Sequence, residues 1–384
     1  MIIIVAPYSS IEDFASPHLG AARKIELIVG LLSQIDKNIT LINSAHTGPI
    51  NAKPAVAYAD VGGVIVRVIT PPIYKSRMLG KLINIFQVQS VLSLIPNTEK
   101  PNLLWIYNGY AFEMNFVRYF DKIYSAKKIL EFEDWHFARN RWLNPKPFID
   151  YLFWRVVVRR FSSATAVNMR LVNFLKKYID EVILLPGLVP NKLVAIADSN
   201  PPFKTPNDSI TVGYFGGLTR EKGADFLLTL AERNHSNAIF LITGSGELED
   251  QFISLSKSLR DRFIFLGLVN ETDLYRLIAK CDVVINPHKC NDGLKSGIFP
   301  FKLVEAVASG RLVISTHASC DGMSKIFEGV LFVDDNLESI EFAIESAFDF
   351  YSNHSAKVKD GASAARAEFG ADSFLRFVKS QMLL

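Results

Sequence analysis

The sequence has few cysteines: Cys281, Cys290 and Cys320 are the only three in 384 residues. They make no even framework and no CxxC pair, which argues against a disulfide scaffold and a thiolate zinc site. Such usage suits a reducing cytosol. No apolar run reaches the ~18 residues of a membrane span. The start, Met1 to Ala6, lacks the basic residues and long apolar core of a signal peptide. A cytoplasmic location is therefore expected. Neither charge sign dominates: 42 Lys and Arg face 39 Asp and Glu, a net charge of +3. That balance lacks the footprint of a dedicated nucleic-acid binder, and no nucleic-acid partner is expected. No HExxH, phosphate-loop lysine or GxSxG motif occurs. His288 and Cys290 stand close, but no second pair completes four ligands, so no metal site is expected.

A large apolar share is present instead. Hydrophobic residues make up 49% and charged residues 21%, which indicates packed globular domains rather than disorder. A mean hydropathy of +0.18 leaves contact with a membrane surface open. Short β-rich runs alternate with helical ones. Strands are expected at 2–6, 38–43, 63–69, 102–107, 128–132 and 164–168, with helices at 21–33, 79–94, 111–123 and 147–160 between them. The stretch from Leu185 to Asp208 is rich in proline and reads as a linker. Strands then return at 209–215, 238–243, 263–266, 283–286 and 312–315. Helices are expected at 224–233, 247–258, 271–280, 300–309, 340–351 and 371–384. This pattern predicts an α/β chain of two doubly wound, Rossmann-like domains facing across a cleft. The expected boundaries are 1–186, a linker at 187–208, 209–370, and a C-terminal helix at 371–384.

Three segments of the second half carry chemistry. The run from Gly297 to Gly310 (GIFPFKLVEAVASG) has Pro300 at the first helical position and Gly310 just past the last turn. The free N–H groups of such a helix start favour an anion such as a diphosphate. Lys302 would add a full charge, and Glu305, one turn on, can accept from a ribose diol. A solvated helix face explains the same pair. The run from Val212 to Gly223 (VGYFGGLTREKG) leads a strand into Gly216 and Gly217, which let a ligand approach the backbone. Arg220 and Lys222 could neutralise a leaving diphosphate there, and an ordinary strand–helix turn with exposed cations explains the same run. Gly244, in TGSGEL, follows the next strand and reads most simply as a tight turn.

In the first half, Gly20 opens a helix after the first strand. Glu133, Asp134 and His136 follow the strand at 128–132, placed to meet an acceptor hydroxyl or a donor sugar, and a plain polar loop cluster explains them equally. The stretch from His136 to Lys177 carries Arg139, Arg141, Arg155 and Arg159 among nine basic residues against one acid, Asp150, with aromatics interleaved. Such a surface can hold anionic headgroups or a lipid diphosphate. Core aromatics with solvated arginines explain it equally.

Together these segments resemble the GT-B glycosyltransferases, and specifically the retaining enzymes of family 4. The resemblance is good over about 205–320 and diffuse before it. It implies that Lys222 binds the donor diphosphate and Glu305 the donor ribose. It also implies a donor site with Gly20, Gly216, Gly217, Gly244, Lys302 and Leu303, and a last helix crossing back to the first domain. The chain departs from the family at three places. The first carboxylate of the Glu-x7-Glu motif is replaced by Gly297. The arginine of the GRL-like turn is replaced by Gly217, with Arg220 nearby, and the N-terminal histidine aligns with Glu133.

The implied activity is transfer of a sugar from a nucleotide sugar to a hydroxyl of a glycan or lipid-linked glycan, with retention, in surface polysaccharide synthesis. Lys222, Arg220, Glu133 and Asp134 are the expected catalytic residues. His136, Arg139, Arg141, Arg155 and Arg159 are expected to meet the acceptor or the inner face of a membrane. No cofactor or metal is required on this reading. A nucleotide-sugar epimerase and a catalytically weak binding subunit are the alternatives.

Overall fold

The computed structural model describes residues 1–9, 19–96, 99–134, 145–203, 209–233, 237–289, 301–316 and 322–383. The chain forms two units, one of Met1–Leu185 with Phe374–Leu384 and one of Pro186–Ser373.

The first unit is built on strands β1 (Ile2–Ala6), β2 (Ile39–Asn43), β3 (Ala55–Val61), β4 (Val64–Thr70), β5 (Leu103–Tyr107), β6 (Lys127–Phe132), β7 (Ser163–Ala166) and β8 (Glu181–Leu184). Their order in the sheet is β3-β4-β2-β1-β5-β6-β7-β8. Only the β3–β4 pair is antiparallel. Its two-residue turn is Gly62–Gly63, both at positive φ, the backbone a tight hairpin needs. β1 is apolar throughout and fully buried, because a parallel strand is covered on both faces. Burying each of its Ile and Val side chains stabilises the fold by about 1.5–3 kcal/mol.

Helices α1 (Leu19–Leu32), α2 (Arg77–Phe86), α3 (Val88–Leu92), α4 (Ala111–Phe120), α5 (Lys146–Val157) and α6 (Met169–Leu175) flank this sheet. The single helix expected at 79–94 is two, broken at Gln87, whose φ and ψ leave the helical region. Chain from Phe374 onward belongs to this unit, and the Phe374 ring lies 5.4 Å from that of buried Trp105 on β5.

The second unit contains β9 (Thr211–Phe215), β10 (Ile239–Thr243), β11 (Phe263–Phe265), β12 (Val283–Asn286), β13 (Leu312–Thr316) and β14 (Leu331–Val333), in the order β11-β10-β9-β12-β13-β14. All its pairs are parallel. This is the order of a dinucleotide-binding sheet, reversing direction between its first and fourth strands. Helices α7 (Asn191–Asp198), α8 (Ala224–Arg233), α9 (Glu249–Leu259), α10 (Glu271–Lys280), α11 (Phe301–Ala308), α12 (Leu337–Glu345) and α13 (Ala347–Phe369) belong here. α14 (Ala371–Leu383) follows. The core includes Val212, Leu227, Phe240, Phe252, Phe263, Val283 and Ile314.

The expected linker at 187–208 is corrected by α7. Its prolines flank a helix rather than forbid one, and Leu193 and Ala197 are buried. Arg311, 1% exposed, explains the docking. Its guanidinium donates to the carbonyls of Ala197 (3.1 Å), Ile278 (3.3 Å) and Ala279 (3.0 Å), and also to Asn200. One cation thus caps the C-terminal ends of α7 and α10, where carbonyls otherwise lack donors.

Candidate functional site

In the second unit, the sheet reverses direction between β9 and β12, and the residues after β9 are Gly216 and Gly217. A ligand of such a sheet binds outside the carboxyl ends of its strands at this point. Gly216 N–H donates to Thr243 O (3.0 Å), and Leu218 N–H donates to Ser245 O (2.9 Å). Tyr214 Oη donates to Gly217 O (2.7 Å), fixing the turn from below. Gly244 holds φ +141°, and a Cβ there would fall 1.7 Å from Gly216 O. Its glycine therefore serves backbone-to-backbone contact. Gly223 does the same against Pro287 O, where a Cβ would fall 1.8 Å away.

Two ammonium groups converge on this turn. A Cβ on Gly217 would lie 2.8 Å from Lys222 Nζ, and one on Gly216 would lie 3.3 Å from Lys302 Nζ. Lys302 Nζ also donates to the Phe215 carbonyl. Both residues are exposed at the surface of the unit. A backbone turn with two cations over it suits a diphosphate. Arg220 stands off: its side chain is 66% exposed and 4.0 Å from Asp225. On α11, Glu305 is only 2% exposed and Leu303 only 1%. Leu303 is core, so only its backbone is available to a ligand. Gly297 and Pro300 lie outside the described residues.

In the first unit, Glu133 and Asp134 directly follow β6. Their N–H groups both donate to Asn108 Oδ1 (2.8 and 3.1 Å), and Asn108 holds φ +67°. Glu133 is joined to Lys24 of α1, whose ammonium also lies 2.7 Å from Glu131 Oε1. Burial opposes charge on Lys24, but the two carboxylates outweigh it and hold the ammonium well above its ordinary range. Burial pushes Glu133 up to about 7 against the pull of Lys24, with Glu131 adding to the rise. Gly20 sits in the first turn of α1. His136, Arg139 and Arg141 lie outside the described residues. Arg155 and Arg159 are exposed on and after α5, and Arg155 donates to Tyr151 Oη (3.1 Å). Of the aromatics expected beside them, Trp154 and Phe161 are core, whereas Phe148 is 62% exposed.

The same unit contains a cavity of about 640 Å³ at the carboxyl ends of β1, β2, β4 and β5. Pro7 after β1 and Asn108 after β5 line it, so it too opens where the strand order reverses. His46, Arg77, Lys81, Asn84 and Glu113 also line it, and sequence reasoning singled out none of them. They come from three separate stretches of chain, the loop after β2, α2 and α4, so no single local motif marks them. The one available signal was Glu113, a carboxylate just inside the helix that follows an apolar strand. Among the described residues, no group of three His, Cys, Asp or Glu is arranged to hold a metal ion. No described helix is long and apolar enough to cross a membrane.

Comparison with known proteins agrees with this architecture. Over 99% of its length the chain superposes on 98% of a sucrose-phosphate synthase from Thermosynechococcus elongatus, with a TM-score of 0.68 at 15% identity. It superposes equally widely on HepE of Anabaena, solved in complex with UDP and glucose, with a TM-score of 0.63 at 15% identity. The chain therefore has the GT-B glycosyltransferase fold. Residues 209–349 match the family model of the glycosyl transferases group 1, and this stretch is a domain of that kind. An uncharacterised glycosyltransferase of Methanocaldococcus jannaschii is 30% identical over 149 residues, 36% of this chain. The match spans 36% of that relative's length, about a third.

Proposed function

We propose that the protein is a glycosyltransferase that moves a sugar from a nucleotide sugar to a hydroxyl of a glycan or lipid-linked glycan. The observation that carries this reading is the meeting of Lys222 and Lys302 over the Gly216–Gly217 turn. That turn lies within the group 1 domain, at the point where its strand order reverses. In the proposed reaction the bond from the sugar's anomeric carbon to the diphosphate oxygen breaks. A bond from that carbon to the acceptor oxygen forms, and the acceptor proton passes to the departing phosphate. Lys222 and Lys302 stabilise the charge that develops on the diphosphate, worth about 3–4 kcal/mol for a well-placed group. Attack from the face of the leaving group gives retention, as the family 4 resemblance implies. No metal ion is given a role.

The reading extends to surface polysaccharide synthesis at a membrane face. Phe148, Leu152 and Val156, spaced four apart on α5, are 62%, 47% and 68% exposed, and Arg155 and Arg159 stand beside them. An apolar stripe with a basic flank suits an anionic lipid surface.

The test is turnover of a panel of nucleotide sugars with lipid-linked and free glycan acceptors, in EDTA, following release of nucleoside diphosphate and the anomeric configuration of the product. Acceptor-dependent release in EDTA with a retained anomer is expected. Release that needs a divalent cation would refute the lysine-only account. Conversion of the donor without acceptor would favour an epimerase, and no conversion of any donor would favour a binding subunit.

A further inference from the structure

We propose that Asp225 and Lys289 are a positioning pair that holds the loop of Lys222, so that its ammonium stays over the Gly216–Gly217 turn to meet a donor diphosphate. The bearing on a donor rests on the transferase reading; the clamp itself is made by contacts within the second unit and does not.

Lys222 stands in a tight turn, its N–H donating to Thr219 O (3.1 Å). Such a turn does not by itself fix where a long, rotamer-rich side chain points. Both chain neighbours of Lys222, however, rest on one outside stretch, the residues 287–289 that follow β12. The carbonyl of Glu221 accepts from Lys289 N–H (3.0 Å). Gly223 lies so close to the Pro287 carbonyl that no Cβ fits between them. The strand on the far side of β12 steadies the same stretch, because Thr316 Oγ1, at the end of β13, donates to the His288 carbonyl.

Lys289 fastens this stretch to α8. Its ammonium lies 2.7 Å from Asp225 Oδ2 and 4.6 Å from the centre of the Phe226 ring, an ion pair joined to a cation–π contact. Asp225 stands in the first turn of α8, where the helix dipole favours an acid. The dipole does not account for a partner 64 positions along the chain. Nor does stability: the two side chains are 22% and 33% exposed, a setting in which an ion pair contributes little. Asp225 Oδ1 is meanwhile buried without a hydrogen-bond partner, which is costly. What the pair does achieve is local. It closes a ring that runs from Asp225 back along the chain through Gly223, Lys222 and Glu221, across the hydrogen bond to Lys289, and through its side chain to Asp225 again. Lys222 is a member of that ring. Arg220, 4.0 Å from the same carboxylate and 66% exposed, is a weaker second cation. Because Asp225 offsets its charge, Lys289 acts on a phosphate through Lys222 rather than by contact.

Hydrogen exchange on the full chain tests the clamp without any ligand. In Lys289→Met the amides of Lys222 and Gly223 are expected to exchange about fivefold faster than in the parent, with the amides of β9 and β10 and the melting temperature little changed. Calorimetry with UDP, GDP and ADP tests what the clamp is for. Lys289→Met should weaken the nucleotide that the parent binds about fivefold, and Lys289→Arg should restore most of that affinity. Asp225→Asn keeps the Lys289 cation and removes its anchor, so it should speed the same amides and weaken the same nucleotide about as much. Unchanged or tighter binding in Asp225→Asn would mean that Lys289 meets the phosphate itself, and would overturn the proposal. Unchanged exchange in both variants would overturn it as well, as would faster exchange with nucleotide affinity intact. A parent that binds none of the three nucleotides would remove the transferase reading, while the exchange rates would still decide whether the clamp exists.

Discussion

The two units share a core strand order but finish their switch points differently. In the second unit, Gly244 and Gly223 bring backbone against backbone, and the mouth of the sheet becomes a turn of peptide groups with two lysines laid across it. In the first, side chains from α2, α4 and the strand ends leave a cavity with a mostly apolar wall and a few buried polar groups, Asn84 and Glu113 among them. One topology thus offers two kinds of site. A glycine-built turn with two ammonium groups over it suits any diphosphate and says little about what is attached. A side-chain cavity is shaped by residue identity and can select its ligand.

That contrast can be broken at the glycines. Gly244→Ala must move either Gly216 or its own backbone from φ +141°, and a loss of about 3–5 kcal/mol in urea unfolding is expected. Nucleotide binding should fall with it, and unchanged nucleotide binding would remove this turn from the donor site.

The contrast is sharpened by pH. Burial pushes Glu113 up to about 7 from its ordinary 4.5. The folded state therefore binds this proton more tightly than the unfolded chain does. The stability it contributes is fully present below about pH 4.5 and is lost as pH rises towards 7. Glu113→Gln removes that dependence. Relative to the parent, the variant should gain about 2–3 kcal/mol between pH 5 and pH 8, read as the difference of two urea series. A constant difference across that range would mean that Glu113 stays ionised in the fold. A smaller effect is expected on α5. Arg155→Ala should weaken binding to anionic vesicles by about 1 kcal/mol without moving the melting temperature. Unchanged vesicle binding would remove this helix from any membrane contact.

Much of the scaffold was legible in the sequence because parallel strands are unbroken apolar runs. Ile2 to Ala6 is such a run, and its assignment needs no alignment. β3 was not read, although Val61 and Val64 flank a Gly62–Gly63 pair that marks a hairpin. Its residues are exposed at a sheet edge, so it lacks an apolar pattern. The helix over Asn191–Asp198 was hidden by the prolines around it, and what holds it is Arg311, more than a hundred residues away. The donor-side residues were legible because Gly216, Gly217 and Lys222 fall in one short run. The partner of Glu133 was not, since Lys24 is 109 residues from it. The cavity residues were least legible of all. His46, the Arg77–Lys81 pair of α2 and Glu113 are gathered by topology alone.

The central claim is that the Gly216–Gly217 turn and its lysines hold a nucleoside diphosphate. Calorimetric titration of UDP, GDP, CMP and ADP into the parent and Lys222→Ala, without added metal, tests it most directly. The account predicts that one diphosphate binds the parent and that the substitution weakens it by about 1.5–3 kcal/mol, the value of a hydrogen bond to a charged group, at an unchanged melting temperature. Equal affinity in both proteins, or no binding of any nucleotide, would contradict it.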